Sequence, residues 1–375
     1  MVDTPLLSKG KKLARSVTSP KKFIVGKGIL SDISSYIRPF GDNAYFICDE
    51  FIVDRAANVG GASFRSSGLT ASFEKFNYEC TQTEIDRNRK LARSAGANVI
   101  VGIGGGKTLD TAKAAAYYEK LPVVLYPTIA STDAPCTSIA VIYNDQGAFD
   151  HYLFLPGNPD MVIADTEILA AAPKRFFAAG IGDGLTTYFE ARACYRGYGL
   201  NLVNLRPSLI GVGLAKQCYE TIQQNAVAAV HAVENKLSTQ AVEAVIEATI
   251  YLSGVGAESG GLAAAHAIHN GMTAVPSLHR VQHGEKVAFG LLAQLVLENA
   301  AHDELVDVIR LMKAVGLPLT LEDLGVKAFK QEEWRNVAER SCAENDTMVN
   351  MPFHVTPDDV FNAIVTADAI AKVYK

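Results

Sequence analysis

The two halves of this chain carry different patterns of hydrophobic and polar residues. In the first half, short apolar runs alternate with segments whose apolar residues recur at helical spacing. The apolar runs lie at residues 23–25, 44–48, 71–76, 97–103, 122–126 and 161–164. Strands that alternate with helices form βαβ units, so this pattern predicts a mostly parallel, Rossmann-like sheet.

The pattern changes twice after the fifth run. Residues 138–143 and 152–155 flank the sequence Asn-Asp-Gln-Gly, whose turn-forming residues predict a β-hairpin. Beyond about residue 166, alanine and leucine dominate and apolar residues recur every three or four positions, which predicts helices. We therefore expect an α/β domain over residues 1–166, with residues 1–20 as a loose arm. An all-α domain is expected over residues 167–375, with the active site in the cleft between the two.

Composition narrows the class of protein. Hydrophobic residues make up 49% of the chain and charged residues 20%, which excludes global disorder. The net charge of −5 lacks the basic surplus of a nucleic-acid-binding protein. No apolar run reaches the roughly 18 residues that span a bilayer, and the N-terminal segment lacks the apolar core of a signal peptide. Six isolated cysteines agree with a reducing compartment, so we expect a cytoplasmic protein that binds neither nucleic acid nor membrane.

A glycine-rich segment follows the fourth predicted strand and opens a helix. Its three glycines (Gly104, Gly105 and Gly106) let the backbone approach a ligand closely, and the free N–H groups of the next helix suit a phosphate. The segment is not a P-loop, because Val101 stands where that motif needs glycine. The segment also departs from the Rossmann fingerprint, because that motif follows the first strand and this segment follows the fourth. Asp49, which ends the second predicted strand, could still bind a ribose hydroxyl. A dinucleotide site and a structural tight turn both stay open here.

Histidines cluster in the second half of the chain. Four of the eight, His266, His269, His279 and His283, fall within 18 residues. Asp183 lies between two glycines at the expected head of another helix. Two imidazoles and one carboxylate are ligand types for a catalytic divalent metal, with a position left open for water or substrate. The spacing is not a standard zinc signature, so a capping aspartate and histidines of the core stay as alternatives.

Six longer motifs point to one enzyme family. They are GGGKTLDTAK, PTIASTDAPC, YLFLPGNPDMVIADT, GDGLTTYFEA, ESGGLAAAHAIHNG and HGEKVAFG. Together they resemble the glycerol dehydrogenases of the iron-containing (type III) alcohol dehydrogenase superfamily, over nearly the whole chain from about residue 20. The resemblance implies an NAD-dependent, zinc-containing enzyme that oxidises glycerol to dihydroxyacetone. It also implies a homo-oligomer, commonly an octamer.

The same resemblance implies roles for individual residues. Asp183, His266 and His283 would bind zinc, and Asp133 would lie at the glycerol hydroxyls, so that Asp133, Asp183 and His266 would meet the substrate. His269 is a candidate proton relay, with a structural role as the alternative. The residues implied in NAD binding are Asp49, Gly104, Gly105, Gly106, Lys107, Asp110, Thr128, Ser131, Thr137, Ile139 and Tyr143. The charge of Asp49 would also repel the 2′-phosphate of NADP.

Two positions depart from the patterns of related enzymes. Ala257 stands where members often carry an aromatic residue, which predicts a wider pocket that admits other vicinal diols. Thr187 stands where iron-dependent relatives usually place a third histidine, which favours zinc. The alternatives are a lactaldehyde-type reductase or another metal-dependent alcohol or diol dehydrogenase, an NAD-using sugar-phosphate cyclase, and an inactive NAD-binding protein. Only Arg280 and Lys286 lie near the metal residues in sequence to bind a substrate phosphate, which disfavours the cyclase.

Overall fold

A computed structural model of the protein describes residues 14–375, and eight β-strands lie in this part of the chain. The strands are β1 (Phe23–Gly26), β2 (Asn43–Cys48), β3 (Thr70–Lys75), β4 (Val99–Gly104), β5 (Val123–Pro127), β6 (Ile139–Tyr143), β7 (Phe149–Phe154) and β8 (Met161–Asp165). Six of them form one sheet in the order β1-β8-β5-β4-β2-β3, with every neighbouring pair parallel. The predicted parallel sheet is therefore confirmed.

The predicted hairpin is present as β6 and β7, which pair antiparallel and stand apart from the main sheet. Its second strand begins at Phe149, whereas the sequence predicted a start at residue 152. The reason is an irregularity between Ile142 and Tyr143, which lets Tyr143 pair with Phe149 and extends the ladder toward the turn.

Helices surround the sheet and form every regular element after β8 in the described residues. The α-helices are α1 (Ile33–Ile37), α2 (Val53–Arg55), α3 (Gly61–Ser66), α4 (Gln82–Ser94), α5 (Gly106–Glu119), α6 (Thr166–Ala171), α7 (Lys174–Arg196), α8 (Leu209–Glu234), α9 (Gln240–Ile246), α10 (Ser253–Gly260), α11 (Ala264–Met272), α12 (His283–Leu297), α13 (His302–Val315), α14 (Gln331–Ser341) and α15 (Pro357–Tyr374). None of the helices within residues 14–375 is both long and apolar enough to cross a bilayer. The helical character after β8 agrees with the predicted fold class, while the domain boundary at residue 166 stays a prediction.

The carboxyl edge of the parallel sheet gathers residues that follow three neighbouring strands. Asp49 follows β2, the glycine-rich segment ends β4, and Thr128 follows β5. The register sets these strand ends at one level, since Cys48 pairs with Ile103. Every residue of β4 is buried, as expected for a central strand with helices on both faces. Open α/β sheets bind ligands at this edge, so the fold alone marks it as a site.

Helices α7 and α12 cross where only glycine fits between them. A Cβ atom on Gly284 would lie 1.9 Å from the carbonyl oxygen of Ala179 and 3.1 Å from the amide nitrogen of Asp183. A Cβ atom on Gly182 would lie 2.5 Å from the carbonyl oxygen of Gly284. The two backbones therefore touch, and the crossing brings His283, the first residue of α12, to Asp183.

The prediction that Asp183 lies at the head of a helix is wrong. The helix α7 begins at Lys174, so Asp183 lies in its interior, where it is buried. The flanking glycines gave the misleading signal, because glycine is common at helix ends. Here Gly182 and Gly184 are helical, and a Cβ atom on Gly184 would lie 3.0 Å from Ile222 of α8. The glycines serve close helix packing, and the capping role for Asp183 is excluded.

The segment that precedes β1 is described only in part. The prediction of a loose arm concerns residues 1–20, of which residues 1–13 lie outside the described residues. Residues 14–18 contact the helical half of the chain. The carbonyl oxygen of Ala14 accepts a hydrogen bond from the Arg206 amide (2.9 Å), and the Thr18 hydroxyl donates to Glu258 (2.7 Å). This end of the arm is therefore held in place.

The carboxylate of Glu258 joins three segments that are distant in sequence. Glu258 belongs to α10 and is fully buried. Besides the Thr18 hydroxyl, it accepts hydrogen bonds from the Ser138 amide (2.7 Å), the Ser138 hydroxyl and the side-chain amide of Asn158. A buried carboxylate is stable only when such donors surround it, so this side chain ties the hairpin region to the helices.

The α7–α12 crossing can be tested by adding one methyl group. We expect Gly284→Ala to lower the free energy of unfolding by about 1–3 kcal/mol, because the new Cβ overlaps a backbone carbonyl that cannot rotate away. The matched control is Gly213→Ala in α8, where a Cβ meets no atom within 4 Å, and where alanine should stabilise by about 0.5–1 kcal/mol. Urea denaturation measures both. A stabilising effect of Gly284→Ala would contradict the proposed crossing.

Candidate active site

The glycine-rich segment is held to the sheet by Asp49. The Asp49 carboxylate accepts a hydrogen bond from the Gly105 amide (2.8 Å) and another from the Thr108 hydroxyl. A Cβ atom on Gly104 would lie 2.6 Å from the Asp49 side chain, so this position requires glycine. Burial raises the pKa of Asp49, while the two hydrogen bonds oppose that shift. Asp49 therefore has a structural role in shaping the segment, whatever ligand it also meets.

A cavity of about 610 Å³ opens above this edge of the sheet. Five of the residues predicted to bind NAD line it: Asp49, Gly105, Gly106, Lys107 and Ser131. Gln282, which immediately precedes His283, lines the opposite side. The cavity thus extends from the glycine-rich segment to the head of α12.

Two features of this edge suit a dinucleotide. Gly106 opens α5, and a Cβ atom there would meet nothing within 4 Å, so its surroundings leave room for a ligand. A helix start of this kind offers free N–H groups to phosphate. The hydroxyl of Thr128 is buried, and within the described residues it has no hydrogen-bond partner. Open space at a helix N-terminus and an orphaned hydroxyl fit a bound pyrophosphate group.

The other predicted NAD residues lie beside the cavity and contact protein groups. Asp110 is buried, and its carboxylate accepts hydrogen bonds from the Lys113 ammonium (3.1 Å) and the Val141 amide (3.0 Å). Thr137 donates to a nearby carbonyl oxygen, and the carbonyl oxygen of Ile139 accepts from Lys113 (2.8 Å). The bonds from Val141 to Asp110 and from Lys113 to Ile139 attach the hairpin to α5. Their part in NAD binding stays a prediction.

Lys107 and Tyr143 form one group at the rim of the cavity. The ammonium of Lys107 lies 4.9 Å from the centre of the Tyr143 ring and 2.6 Å from the carboxylate of Glu79. Burial raises the pKa of Tyr143 to about 12, so this ring carries a neutral hydroxyl at neutral pH. The arrangement positions a cation at the start of α5, where it can add to the attraction of phosphate by the helix N-terminus.

Asp183, His266 and His283 converge on one point. Their ligand atoms all lie within 4.8 Å of one another. Asp183 Oδ1 is 3.3 Å from His283 Nε2 and 3.7 Å from His266 Nε2. Ligands about 2.1 Å from a tetrahedral ion lie about 3.4 Å apart, so these separations suit such an ion. Asp183 Oδ1 is also buried without a hydrogen bond of suitable geometry in the described residues, as expected for an atom that binds a metal.

Glu190 orients the imidazole of His266. Glu190 lies seven residues, or about two turns, beyond Asp183 on α7, and its carboxylate is fully buried. His266 Nδ1 donates to Glu190 Oε2 (2.5 Å), and the backbone amides of Ala263 and His266 donate to Glu190 Oε1 (2.9 Å each). With its Nδ1 proton held by Glu190, the neutral form of His266 directs its Nε2 lone pair toward Asp183. Carboxylate–histidine pairs of this kind support metal ligands in many proteins.

A chain of hydrogen bonds supports His283 in the same way. His283 Nδ1 lies 3.1 Å from His269 Nε2, and His269 Nδ1 lies 3.0 Å from the carbonyl oxygen of the Asn270 side chain. The Asn270 amide then donates to both oxygens of Asp346 (3.1 and 3.0 Å). Because Asn270 presents an acceptor, His269 donates to it from Nδ1 and accepts from His283. This direction leaves His283 Nε2 free for a metal.

Asp133 lies against the metal residues through the loop after β5. Its amide donates to Asp183 Oδ2 (3.3 Å), and its carboxylate accepts from the Ser253 hydroxyl (2.8 Å). The Thr187 hydroxyl lies 2.8 Å from that of Ser253, so Thr187 takes part in this polar network on α7. Asp183 and Ser253 thus hold Asp133 directly, and Thr187 contacts the Ser253 hydroxyl.

The electrostatics of the site favour a cation. Burial and the neighbouring Asp183 carboxylate together raise the pKa of Asp133 to about 7. Burial opposes the charged form of Asp183, but His283 and His266 outweigh it and lower the pKa of that carboxyl. Burial likewise opposes protonation of His266, yet the Glu190 carboxylate raises its pKa to about 9. Three carboxyl groups therefore surround two imidazoles, and a divalent ion would neutralise this excess of acidic groups.

Comparison with known proteins agrees with this geometry. Residues 20–166 match the family described as iron-containing alcohol dehydrogenase. Over 354 residues the chain is 49% identical to a glycerol dehydrogenase of Escherichia coli, which covers 94% of this chain and 96% of that protein. The chain belongs to the iron-containing alcohol dehydrogenase family.

Two further relatives of the family extend the comparison. The crystal structure of glycerol dehydrogenase from Schizosaccharomyces pombe superposes with a TM-score of 0.93 at 34% identity, over 97% of this chain and 93% of that chain. A glycolaldehyde reductase of Halobacterium salinarum is 42% identical over 354 residues, which is 94% of this chain and 97% of that protein. The family fold therefore extends over nearly the whole described chain, including the helical half.

Sequence reasoning missed several residues of this family member's site. Glu190, Ser253, Asn270 and Asp346 were not predicted, although each contacts a predicted residue or supports one. Glu190 could have been found, since it lies seven residues after Asp183 and so shares its face of a helix. Asn270 directly follows His269 and lies four residues after His266 on α11, whereas Ser253 and Asp346 come from other segments that no spacing relates to Asp183, His266 and His283.

The support that Glu190 gives to His266 can be measured directly. We expect Glu190→Gln to weaken zinc binding about ten- to a hundredfold, because the amide supplies no charge to the imidazole. The control is Glu234→Gln at the exposed end of α8, where zinc affinity should stay at the wild-type value. Competition with a chromophoric chelator gives the dissociation constants. Equal zinc affinity in Glu190→Gln and wild type would refute the orienting role.

Proposed function

We propose that this protein is an NAD-dependent dehydrogenase that oxidises glycerol, and other vicinal diols, to the corresponding ketone. One observation carries the proposal. A carboxylate and two imidazoles converge on one point, and Gln282, the neighbour of His283 in sequence, lines a cavity that also contains the glycine-rich helix start. That arrangement sets a Lewis-acid site and a dinucleotide site within one cleft. The glycerol dehydrogenases to which the chain is similar over nearly their full length support the choice of substrate.

The division of labour in the reaction follows from these two sites. When bound, NAD would accept the hydride, and a divalent metal, which we propose to be zinc, would act as a Lewis acid toward a substrate hydroxyl. Asp183, His266 and His283 would hold the ion, and Glu190 and His269 keep the two imidazoles in the required tautomers. The glycine-rich segment would hold the pyrophosphate group at the start of α5.

Asp133 is the residue that we propose to orient the polyol. It lies next to Asp183 and is fixed by Ser253, so its carboxylate can accept a hydrogen bond from a hydroxyl of a substrate bound at the triad. The neighbouring vicinal hydroxyl would then reach the metal position. Two hydroxyls held in this way give the carbinol carbon one orientation, which favours 1,2-diols over simple alcohols.

The preference for NAD over NADP rests on the acidic edge of the cavity. Asp49 and Glu50 both line it, and two carboxylates repel the additional phosphate of NADP. Asp49 also accepts two hydrogen bonds from the glycine-rich segment, so its charge is fixed in place.

The choice of zinc follows from the donor set. Thr187 is buried on α7, and its hydroxyl contacts Ser253, which leaves two histidines and one aspartate as ligands. Three nitrogen and oxygen ligands with an open fourth position are typical of catalytic zinc. We extend the proposal to a homo-oligomer, an octamer by family resemblance, and to a cytoplasmic location, which the six free cysteines support.

A second candidate function is the reduction of a short hydroxyaldehyde. The similarity to a glycolaldehyde reductase favours it, because the same metal position that stabilises an alkoxide can polarise a carbonyl group. The two functions share one chemistry in opposite directions. Initial rates with glycerol and NAD, and with glycolaldehyde and NADH, at equal enzyme concentration separate them.

The metal-dependent mechanism predicts a specific loss in one variant. We expect His266→Ala to abolish NADH formation from glycerol and to reduce bound zinc to background, because two ligands do not retain the ion. The control is His231→Ala on the exposed surface of α8, which should keep both zinc and activity. Absorbance at 340 nm and elemental analysis are the measurements. Full activity in a zinc-free His266→Ala protein would end the metal argument.

Ala257 provides a test of substrate range. It is buried on α10, one turn after Ser253, which binds Asp133. We expect Ala257→Phe to raise the KM for 2,3-butanediol more than the KM for glycerol, because the ring would occupy space near the polyol position. Ala257→Val is the smaller matched change and should shift the ratio less. An unaltered ratio in a folded Ala257→Phe enzyme would show that this residue does not line the pocket.

A further inference from the structure

A cleft at the far end of α7 carries three arginines and two tyrosines that the proposed reaction does not use. Its volume is about 350 Å³, and it is lined by Arg15, Tyr195, Arg196, Tyr198, Arg206 and Pro207. No carboxylate is among these lining residues. Within the part of the chain that the structure describes, none of the three guanidinium groups forms an ion pair. The cleft therefore concentrates positive charge in a protein whose net charge is −5.

The backbone places two of the arginines side by side. Arg15 and Arg206 form an isolated parallel β-bridge, and the Arg206 amide donates to the carbonyl oxygen of Ala14 (2.9 Å). Bridged residues project from the same side of the pair, so their side chains start as neighbours. Like charges opposite each other in a ladder are destabilising. An anion between them would convert this repulsion into attraction.

Aromatic rings hold the guanidinium groups in place. The Arg206 guanidinium lies 4.6 Å from the centre of the Tyr198 ring, and that of Arg15 lies 5.6 Å from the centre of the Tyr195 ring. Stacking on a ring fixes a guanidinium and leaves its N–H groups free for an oxyanion. Tyr198 itself adopts a left-handed conformation (φ 56°), which an ordinary side chain rarely takes. The local fold thus maintains the ring under Arg206.

Arg196, the third arginine, has another explanation that does not apply to the other two. Arg196 is the last residue of α7, where a cation interacts well with the negative end of the helix dipole. The dipole does not account for Arg15 and Arg206, which come from different segments.

We propose that this arginine–tyrosine cleft binds a phosphoryl group, as free phosphate or as the phosphate ester of a small metabolite. One arginine guanidinium can bind a phosphate group through two parallel hydrogen bonds. The cleft is large enough for a small phosphate ester as well as for the free anion. The site lies about 20 Å along α7 from Asp183, since Arg196 is thirteen positions after Asp183 and a helix rises about 1.5 Å per residue. It is thus separate from the active site, and the proposal does not depend on the proposed function.

The test measures phosphate binding to the full-length protein by calorimetry at constant chloride concentration. The three probes are orthophosphate, pyrophosphate and glycerol 3-phosphate. Each is measured with and without saturating NAD, so that binding at the glycine-rich segment is distinguished from binding at the cleft. We expect binding that persists with NAD and weakens at least about tenfold in Arg206→Gln, since a charge-assisted pair of hydrogen bonds is lost. The control is Arg310→Gln on the exposed face of α13, which should bind as wild type does.

The relative affinities of the probes distinguish the sources of the phosphoryl group. Tighter binding of glycerol 3-phosphate indicates an ester, and equal binding indicates the free anion. Thermal unfolding checks that Arg206→Gln is folded, and Arg15→Gln is the second variant if it is not. The proposal is wrong if no probe binds, or if Arg206→Gln and Arg15→Gln both bind as wild type does. If no probe binds and Arg206→Gln also changes the molar mass in solution, the result indicates instead that the cleft binds a carboxylate of a second copy of the chain.

Discussion

The site depends on a backbone contact between two helices. Helices α7 and α12 approach so closely at Gly182 and Gly284 that a methyl group on either residue would overlap a carbonyl oxygen. This contact, rather than any attraction between the side chains, sets the distance between Asp183 and His283. Asp183 Oδ1 and His283 Nε2 lie 3.3 Å apart, and a buried carboxylate oxygen without a hydrogen-bond donor favours a cation beside it. The helix crossing therefore sets two of the three residues that we propose to bind the metal at a suitable distance from each other.

Much of the fold could be predicted from hydrophobic pattern. The short apolar runs of the first half became strands, since buried parallel strands leave continuous apolar segments that the sequence displays directly. The interior position of Asp183 could not be predicted, because glycines that permit close packing and glycines that end a helix look alike in one sequence. The difference lies in the partner helix, which only the tertiary structure supplies.

The candidate site likewise contains residues that could be predicted from the sequence and residues that could not. Asp183, His266 and His283 could be found from residue type and from family resemblance, and the structure brings them together. Their supports come from α7, α10, α11 and the region before α15, and each is an ordinary acid, hydroxyl or amide in the sequence. Polar residues of this kind gain a role only from burial beside a ligand. Burial is a property of the packed structure, so Glu190, Ser253 and Asp346 carried no distinguishing signal beyond helical spacing for Glu190.

The chain of hydrogen bonds behind His283 has a consequence for how this centre can be adjusted. Each group in the series from His283 to Asp346 has one direction of donation, which the final carboxylate determines. Electron density on His283 Nε2, the nitrogen that we propose to bind the metal, is therefore influenced by an acid three side chains away. Evolution or engineering can change the Lewis acidity of such a centre from a peripheral position, while the residues that touch the ion stay the same.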